Sequence, residues 1–439
     1  MNDAKRPNIL YIHTHDIGRY IQPYGYAVPT PHLQALAEEG VLFRQAFCAN
    51  PTCSASRAAL LTGLYPHNNG MTGLAHRGWS LNDYSQHIVH TLRDAGYTTL
   101  LAGVQHVASH EKGEPWKTIG YDRWLGNENA EDLAVSYLES KPEGPFFLAV
   151  GFGDTHREFG EVTDAADPRY SRPPEPLPDT PETREDMARF ATSAREVDRK
   201  MGQVFDALDR TGLADNTLVI CTTDHGIAFP KMKCNLTAGG IGIMLLMRGP
   251  GGFVGGRVID SMVGHIDIFP TICELLDIAP PPWLQGVSLM PLIRQEVEEV
   301  RDEIFTEVNY HAAYEPMRAI RTHRWSYIRR FDDRESPVLP NCDDGLSKTV
   351  LLDHGWNDVA PDPEALYDLV FDPNEADNRI DDPRLQGIVV EMRSRLKAWM
   401  VETDDPLLKG PVPAPPGAVV NDPDGLSPGE RPEPVGDPA

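Results

Sequence analysis

Asn8-Ile9-Leu10-Tyr11-Ile12-His13, followed by Thr14-His15-Asp16, is the stretch that decides how this chain folds. An unbroken apolar run rich in β-branched and aromatic residues reads as a strand buried on both faces, the kind a parallel sheet contains. Such a strand carries whatever follows it to the carboxyl edge of the sheet, where open α/β folds bind their ligands. His13 and His15 lie two apart and would share a face in a regular strand. The strand is expected to end between them, leaving His13 more buried and His15 nearer a site.

The same arrangement recurs along the chain. Residues 98–104, 146–152 and 217–223 read as further strands, 243–247 as another apolar run, and 31–39 as a helix with Thr30 as cap and Pro31 at its first position. Residues 182–213 suit one or two amphipathic helices, and 266–276 a helix after the turn at Gly264-His265. The strands end in Gly103-Val104-Gln105-His106, in Gly153-Asp154-Thr155-His156-Arg157 and in Thr223-Asp224-His225-Gly226. The expected fold is α/β: a large mixed, mainly parallel sheet sandwiched by helices. Beyond residue 300 the texture changes to antiparallel strands at 303–310, 317–321 and 325–331, then a helix at 383–401. We therefore expect a catalytic domain over 1–300, a smaller α+β subdomain with a small antiparallel sheet over 301–405, and a wrapped or disordered Pro/Gly/Asp-rich tail over 406–439.

A second stretch carries chemistry. Asn50-Pro51-Thr52-Cys53-Ser54-Ala55-Ser56-Arg57, with Leu60-Leu61-Thr62-Gly63 after it, places a thiol where a loop enters a helix. The unpaired N–H groups and positive dipole end of a first turn acidify a cysteine and welcome an anion. Asp16 and Asp224 with His15 and His225 form a mixed oxygen and nitrogen set suited to a divalent cation. Singly, each has an ordinary reading: Asp-His-Gly as a turn, His156 as a hydrogen-bonded loop residue, Cys53 as a small buried residue, His265 as the residue that orders the turn before its helix. Their recurrence at four strand ends favours a shared site.

The formal net charge of −25 disfavours nucleic acid and anionic membranes as partners. A small anion remains compatible, because fields are screened over ~10 Å and a local cationic pocket prevails. The amino terminus shows no signal-like segment and the chain no run long enough to span a membrane, so a cytoplasmic protein is expected. Six scattered cysteines, at 48, 53, 221, 234, 273 and 342, show neither a disulfide framework nor a zinc knuckle. A homo-oligomer is compatible with all of this.

Pro7-Asn8-Ile9-Leu10, the C-x-A-S-R box at Cys53–Arg57, Thr62-Gly63-Leu64-Tyr65-Pro66-His67, Thr223-Asp224-His225-Gly226 and Ile266-Asp267-Ile268-Phe269-Pro270-Thr271 together resemble, in order, the type I (formylglycine-dependent) sulfatases of the alkaline phosphatase superfamily. His67-Asn68-Asn69-Gly70-Met71-Thr72-Gly73-Leu74, Asp224 to Pro230, and Leu366-Tyr367-Asp368 with Trp399 and Glu402 to Pro406 look most like the heparan N-sulfatase (sulfamidase) branch.

The resemblance implies an alkaline-phosphatase-like fold and hydrolysis of a sulfate ester or sulfamate on a small anionic substrate. It implies that a formylglycine-generating enzyme oxidises Cys53 to 3-oxoalanine, whose hydrate is the nucleophile, and that Arg57 holds that hydrate. Asp16, Asp224 and His225, with His15 and the modified Cys53, would hold one divalent metal, calcium by family. His106 would act on the formylglycine hydroxyl, His156 on the leaving group, and Lys233 or Lys231 on the sulfate. Arg157, His311 and Arg318, with Tyr310, Tyr314 and Glu315, are the candidates to line the substrate pocket.

This chain departs from the family pattern in three places. His15 stands where the family has a second aspartate, which softens the site toward manganese or zinc. Val104 stands where a sulfate-binding lysine is usual, and Ala55 replaces the commoner proline. Two other readings share the box: a phosphonate monoester or phosphodiester hydrolase of the same superfamily, and a non-catalytic sulfatase-like binding protein.

Overall fold

The computed structural model describes residues 6–163 and 166–436, the side chain of Lys112 excepted. The first five residues and the last three of the tail, about which the sequence reading also spoke, lie outside the described residues. The strands of the main sheet are β1 (Asn8–Thr14), β2 (Val41–Phe47), β3 (Thr98–Gly103), β4 (Arg123–Gly126), β5 (Phe146–Gly151), β6 (Thr217–Thr223), β7 (Leu245–Arg248) and β8 (Arg257–Gly264). Their spatial order is β4-β3-β5-β1-β6-β7-β2-β8. β7 runs antiparallel to both neighbours and the other pairings are parallel. The sheet is thus α/β, mixed and mainly parallel, as expected.

The unbroken apolar sequence of β1 is explained by the two layers it serves. Ile9 and Tyr11 point into one hydrophobic core, and Leu10 and Ile12 into the other. The first core is closed by helices Cys53–Thr62, Ile88–Asp94 and Ile268–Leu275; the second by Pro31–Glu39, Ala130–Glu139 and the long helix Pro181–Thr211. That long helix is one element, capped by Thr180, whose hydroxyl accepts from the Thr183 N–H. The Pro31–Glu39 helix forms as expected, but Thr30 makes no side-chain cap; its hydroxyl instead accepts from the Gln22 N–H.

β2, β4 and β8 escape the sequence reading, each for a visible reason. In β2 the apolar run is broken by Arg44-Gln45, where its pairing with β8 shifts register. β4 is a short, partly exposed edge strand. The first half of β8 alternates exposed and half-buried positions before its buried end.

β9 (Glu303–Tyr310), β10 (Tyr314–Thr322), β11 (Trp325–Arg330) and β12 (Glu364–Asp368) form a separate antiparallel sheet in the order β12-β11-β10-β9. Helix Gln386–Glu402 covers it through Val389, Met392, Leu396 and Trp399, and Trp399 stacks on Phe305 at 5.0 Å. Between this sheet and the main one lies a buried ion network. Arg318 donates to Asp405 at 2.6 and 3.0 Å and lies 3.4 Å from Glu307, which also pairs with His67 in the short helix Pro66–Asn69 after the cysteine box. The tail is wrapped: Val412 is held by the Tyr310 and Tyr314 hydroxyls, and the Asn421 N–H donates to Ala312. No helix among the described residues is long and apolar enough to cross a membrane.

Removing Arg318 strands two buried carboxylates, a loss that typically costs about 3–5 kcal/mol. Arg318→Ala should lower the urea unfolding midpoint accordingly; an unchanged midpoint would show that the network carries no stability.

Candidate functional site

β3, β5, β1 and β6 are consecutive in the sheet, so the four strand ends singled out by sequence converge on one edge. β6 delivers Asp224 and His225, β1 delivers His15 and Asp16, β3 leads to His106 and β5 to His156. Helix Cys53–Thr62 packs under that edge and presents Cys53 in its first turn.

Asp224 is the joint of the cluster. Its Oδ2 receives Arg57 Nη2 at 2.9 Å and Nε at 3.3 Å, and its Oδ1 receives the Asp16 and His225 backbone N–H groups at 2.9 and 3.0 Å. Its carbonyl accepts from Ser56 Oγ. Arg57 is completed by the Thr14 carbonyl at 3.1 Å and by His13 Nδ1, which accepts. His15 Nδ1 lies 3.2 Å from Asp224 Oδ2, and His225 Nε2 lies 3.2 Å from Asp16 Oδ1. His225 Nδ1–H donates to the Gly226 carbonyl at 2.9 Å, which leaves the Nε2 lone pair facing the carboxylates and Cys53 Sγ, 3.4 Å away. Lys233 Nζ bridges Asp16 Oδ2 at 2.9 Å and Asp343 Oδ2 at 2.8 Å. His265 ties Ser56 to Thr222 through its two nitrogens at 3.2 and 3.1 Å, so it braces the helix against β6 as well as ordering its turn.

The electrostatics follow from burial and this pairing. Burial raises the Asp16 and Asp224 carboxyls, but Lys233 and His225 outweigh it at Asp16, and His225, Arg57 and His15 at Asp224, so both stay below the usual range. Burial opposes the Lys233 ammonium, yet Asp16 and Asp343 hold its pKa well above normal. His15 is pushed down to about 4 by burial and then by Arg57. The acidified thiol expected from the helix terminus is not found: burial drives Cys53 well above the usual value, and Asp224 and Asp16 add to it against Lys233. Desolvation and two carboxylates outweigh the terminal dipole.

His15, Asp16, Cys53, Asp224, His225, Arg57 and Lys233 are therefore brought together. His106 and His156 flank them, with ring centroids 4.8 and 5.4 Å from that of His15. His311 is buried beside Lys233, Asp343 and His225, whose charges it feels, and its Nδ1 has no hydrogen-bond partner. Lys231 is exposed and lines a neighbouring cavity that it shares with Lys233.

Two pocket expectations need correction. Arg157 is sandwiched between Phe159 and Phe229 and paired bidentately with Asp186 at 2.7 and 2.8 Å. Arg318 is fully buried and spent on Asp405, Glu307 and Asn309. Both guanidiniums brace the structure: Arg318 has all its N–H groups engaged, and Arg157 is held by Asp186 and the Ala228 carbonyl. Tyr310 and Tyr314 secure the tail, and Glu315 pairs with Arg330 and Asn341.

Sequence reasoning missed Asp343 and His76. Asp343 arrives from a loop far along the chain and no local spacing marks it. His76 lies 6.1 Å from the His106 ring and, with Val104, Leu101, Trp116 and Trp124, walls a cavity of about 350 Å³ that opens beside His106. Val104 supplies apolar wall there, and Gln105 is occupied by its own loop through Val107 and Ala108.

The donor set fits a divalent cation: two ionised carboxylates and an imidazole lone pair face one another, with Arg57 and Lys233 balancing their charge.

Comparison with known proteins adds a family. The profile described as "Sulfatase" matches residues 7–136 and 132–278, and that described as "N-sulphoglucosamine sulphohydrolase, C-terminal" matches 235–342. The human N-sulphoglucosamine sulphohydrolase is 30% identical over 88% of this chain and 88% of its own length. A solved putative sulfatase from Bacteroides fragilis superposes with a TM-score of 0.75 at 20% identity, covering 93% of this chain and 98% of that one. The phosphonate monoester hydrolase of Agrobacterium radiobacter superposes at 0.69 and 22% identity, covering 94% and 100%. At that identity the likeness is one of fold.

Burial also holds His265 down to about 3, with Asp224 opposing and Arg57 assisting. A histidine with a lower pKa folded than unfolded takes up more protons on unfolding. Its stabilisation is complete above pH ~6.5 and is lost as pH falls toward the folded value, by up to about 1.4 kcal/mol per pH unit. Urea unfolding should therefore become easier from pH 6.5 downward, and His265→Gln should flatten that slope. Equal slopes in the two proteins would refute the assignment.

Proposed function

The chain belongs to the sulfatase family, and from that premise we propose that it releases inorganic sulfate from a sulfated or N-sulfated sugar, using Cys53 converted to formylglycine and one divalent cation. The observation that carries this reading is the convergence of Cys53 with Asp16, Asp224, His225 and Arg57 in one buried cluster at the sheet edge. The matched carboxyl-terminal profile and the human relative support an N-sulfate among the substrates.

His15, Asp16, Asp224 and His225 would hold the cation, which when bound acts as a Lewis acid toward sulfuryl oxygens. Calcium fits the carboxylates, and the two imidazoles extend the choice to manganese or zinc. The formylglycine hydrate supplies the oxygen nucleophile and an exit by which the aldehyde is regenerated.

The remaining work falls to side chains already in position. Arg57, pinned by Asp224 and Thr14, offers fixed positive charge beside residue 53. Lys233 Nζ, held between Asp16 and Asp343, is placed to donate to a sulfate oxygen. His106, kept neutral first by burial, offers a free imidazole beside the cluster as the proton acceptor, though its lowered pKa makes it a weak base. His156 directs Nδ1 at the Arg157 carbonyl, which leaves Nε2 to carry a proton to the departing oxygen or nitrogen. A formylglycine-generating enzyme is the maturation partner this chemistry requires.

The test is a panel of O-sulfates, sulfamates and phosphonates, assayed after co-expression with that enzyme and with calcium, manganese or zinc. Sulfate release is expected, lost in Cys53→Ala with the unfolding midpoint unchanged, and lost on chelation. A large preference for phosphonates would replace the reading with a phosphonate hydrolase. Unmodified Cys53 by peptide mass, with no turnover, would leave a binding protein.

A further inference from the structure

Two potential ligand sets overlap at the sheet edge. His15, Asp16, Cys53 and Asp224 form one, and His15, Cys53 and His106 form another, with ligand atoms in each lying within 4.8 Å of one another. They share His15 and Cys53 and differ in character. The first is completed by two carboxylates, the second by an imidazole.

His106 is built for more than filling space. It sits at φ 62°, a left-handed conformation uncommon outside glycine, and its ring centroid lies 4.8 Å from that of His15. Its Nδ1 is buried without a hydrogen-bond partner, and so is His15 Nδ1, although that atom lies near Asp224. The rings of His15 and His106 meet edge to face at 73°, and each offers a ligand atom within 4.8 Å of the other's and of the Cys53 sulfur. His106 as a whole is only half-buried and opens on the cavity beside it, leaving a side free for a water or small ligand.

We propose that when residue 53 remains a cysteine, this protein binds a soft divalent cation, zinc above all, through the Cys53 thiolate, His15 and His106. Binding forms one metal–sulfur bond and releases the thiol proton to solvent, with no change of oxidation state. Thiolate and imidazole select zinc over calcium, and three protein ligands with one open position are a known zinc arrangement. Converting Cys53 to formylglycine removes the sulfur. The second set then keeps two imidazoles alone, while the first keeps both carboxylates. Metal preference therefore follows the chemical state of residue 53. The inference concerns the unconverted chain and stands apart from the proposed sulfatase activity.

The test uses full-length protein made without a formylglycine-generating enzyme, with the Cys53 thiol verified by peptide mass. Titration with Co(II) should produce thiolate-to-cobalt charge-transfer absorption that saturates at one equivalent and is displaced by Zn(II). X-ray absorption at the zinc edge of the unmutated protein should show one sulfur and at least two imidazole nitrogens. His106→Ala and Cys53→Ser should each weaken Zn(II) binding ~10-fold or more, and His106→Ala should leave Mn(II) binding nearly unchanged. Absence of zinc–sulfur scattering, or His106→Ala binding Zn(II) as tightly as the unmutated protein, would overturn the proposal. The absorption measurement needs no variant, so a misfolded substitution does not blunt it.

Discussion

The Asp224 carboxylate is the constraint on which the site depends. It lies at the end of a central strand, is fully enclosed, and binds in three directions: to Arg57 on the helix, to the backbone after β1, and to its own turn. A buried carboxylate without partners costs several kcal/mol, so each of these contacts is obligatory. Together they lock helix Cys53–Thr62 to β1 and β6, and that lock sets Cys53 against Asp16 and His225.

Charge balance accounts for the next layer. Asp16 and Asp224 would repel each other unless each had a counter-ion, and the chain supplies Lys233 and Arg57 separately. Lys233 in turn leans on Asp343, which ties a distant loop to the site. Burial first, and then the same carboxylates, raise the thiol rather than acidify it. The cysteine is thus held protonated until something stronger than a helix dipole, a cation or a covalent conversion, changes its state.

Much of this was legible in the sequence because it is local. An apolar run with no alternation requires burial on both faces, and polar residues directly after such runs mark the carboxyl edge; β1, β3, β5 and β6 follow. Strands whose apolar pattern is broken by a bulge or by edge exposure, β2, β4 and β8, were not. Arg157 and Arg318 read as candidates to line the substrate pocket, because a sequence gives no hint of an arginine's partner. Asp186 and Asp405, which take them, come from elsewhere in the chain.

The sequence by itself determined the fold class, the order of strand ends and the inventory of reactive groups, since periodicity and short motifs depend only on neighbouring residues. The tertiary structure decided which charges cancel, which histidines face the thiol and in which direction each proton affinity moves. Those depend on distances across the chain and on exclusion of water, and neither is written in any one segment.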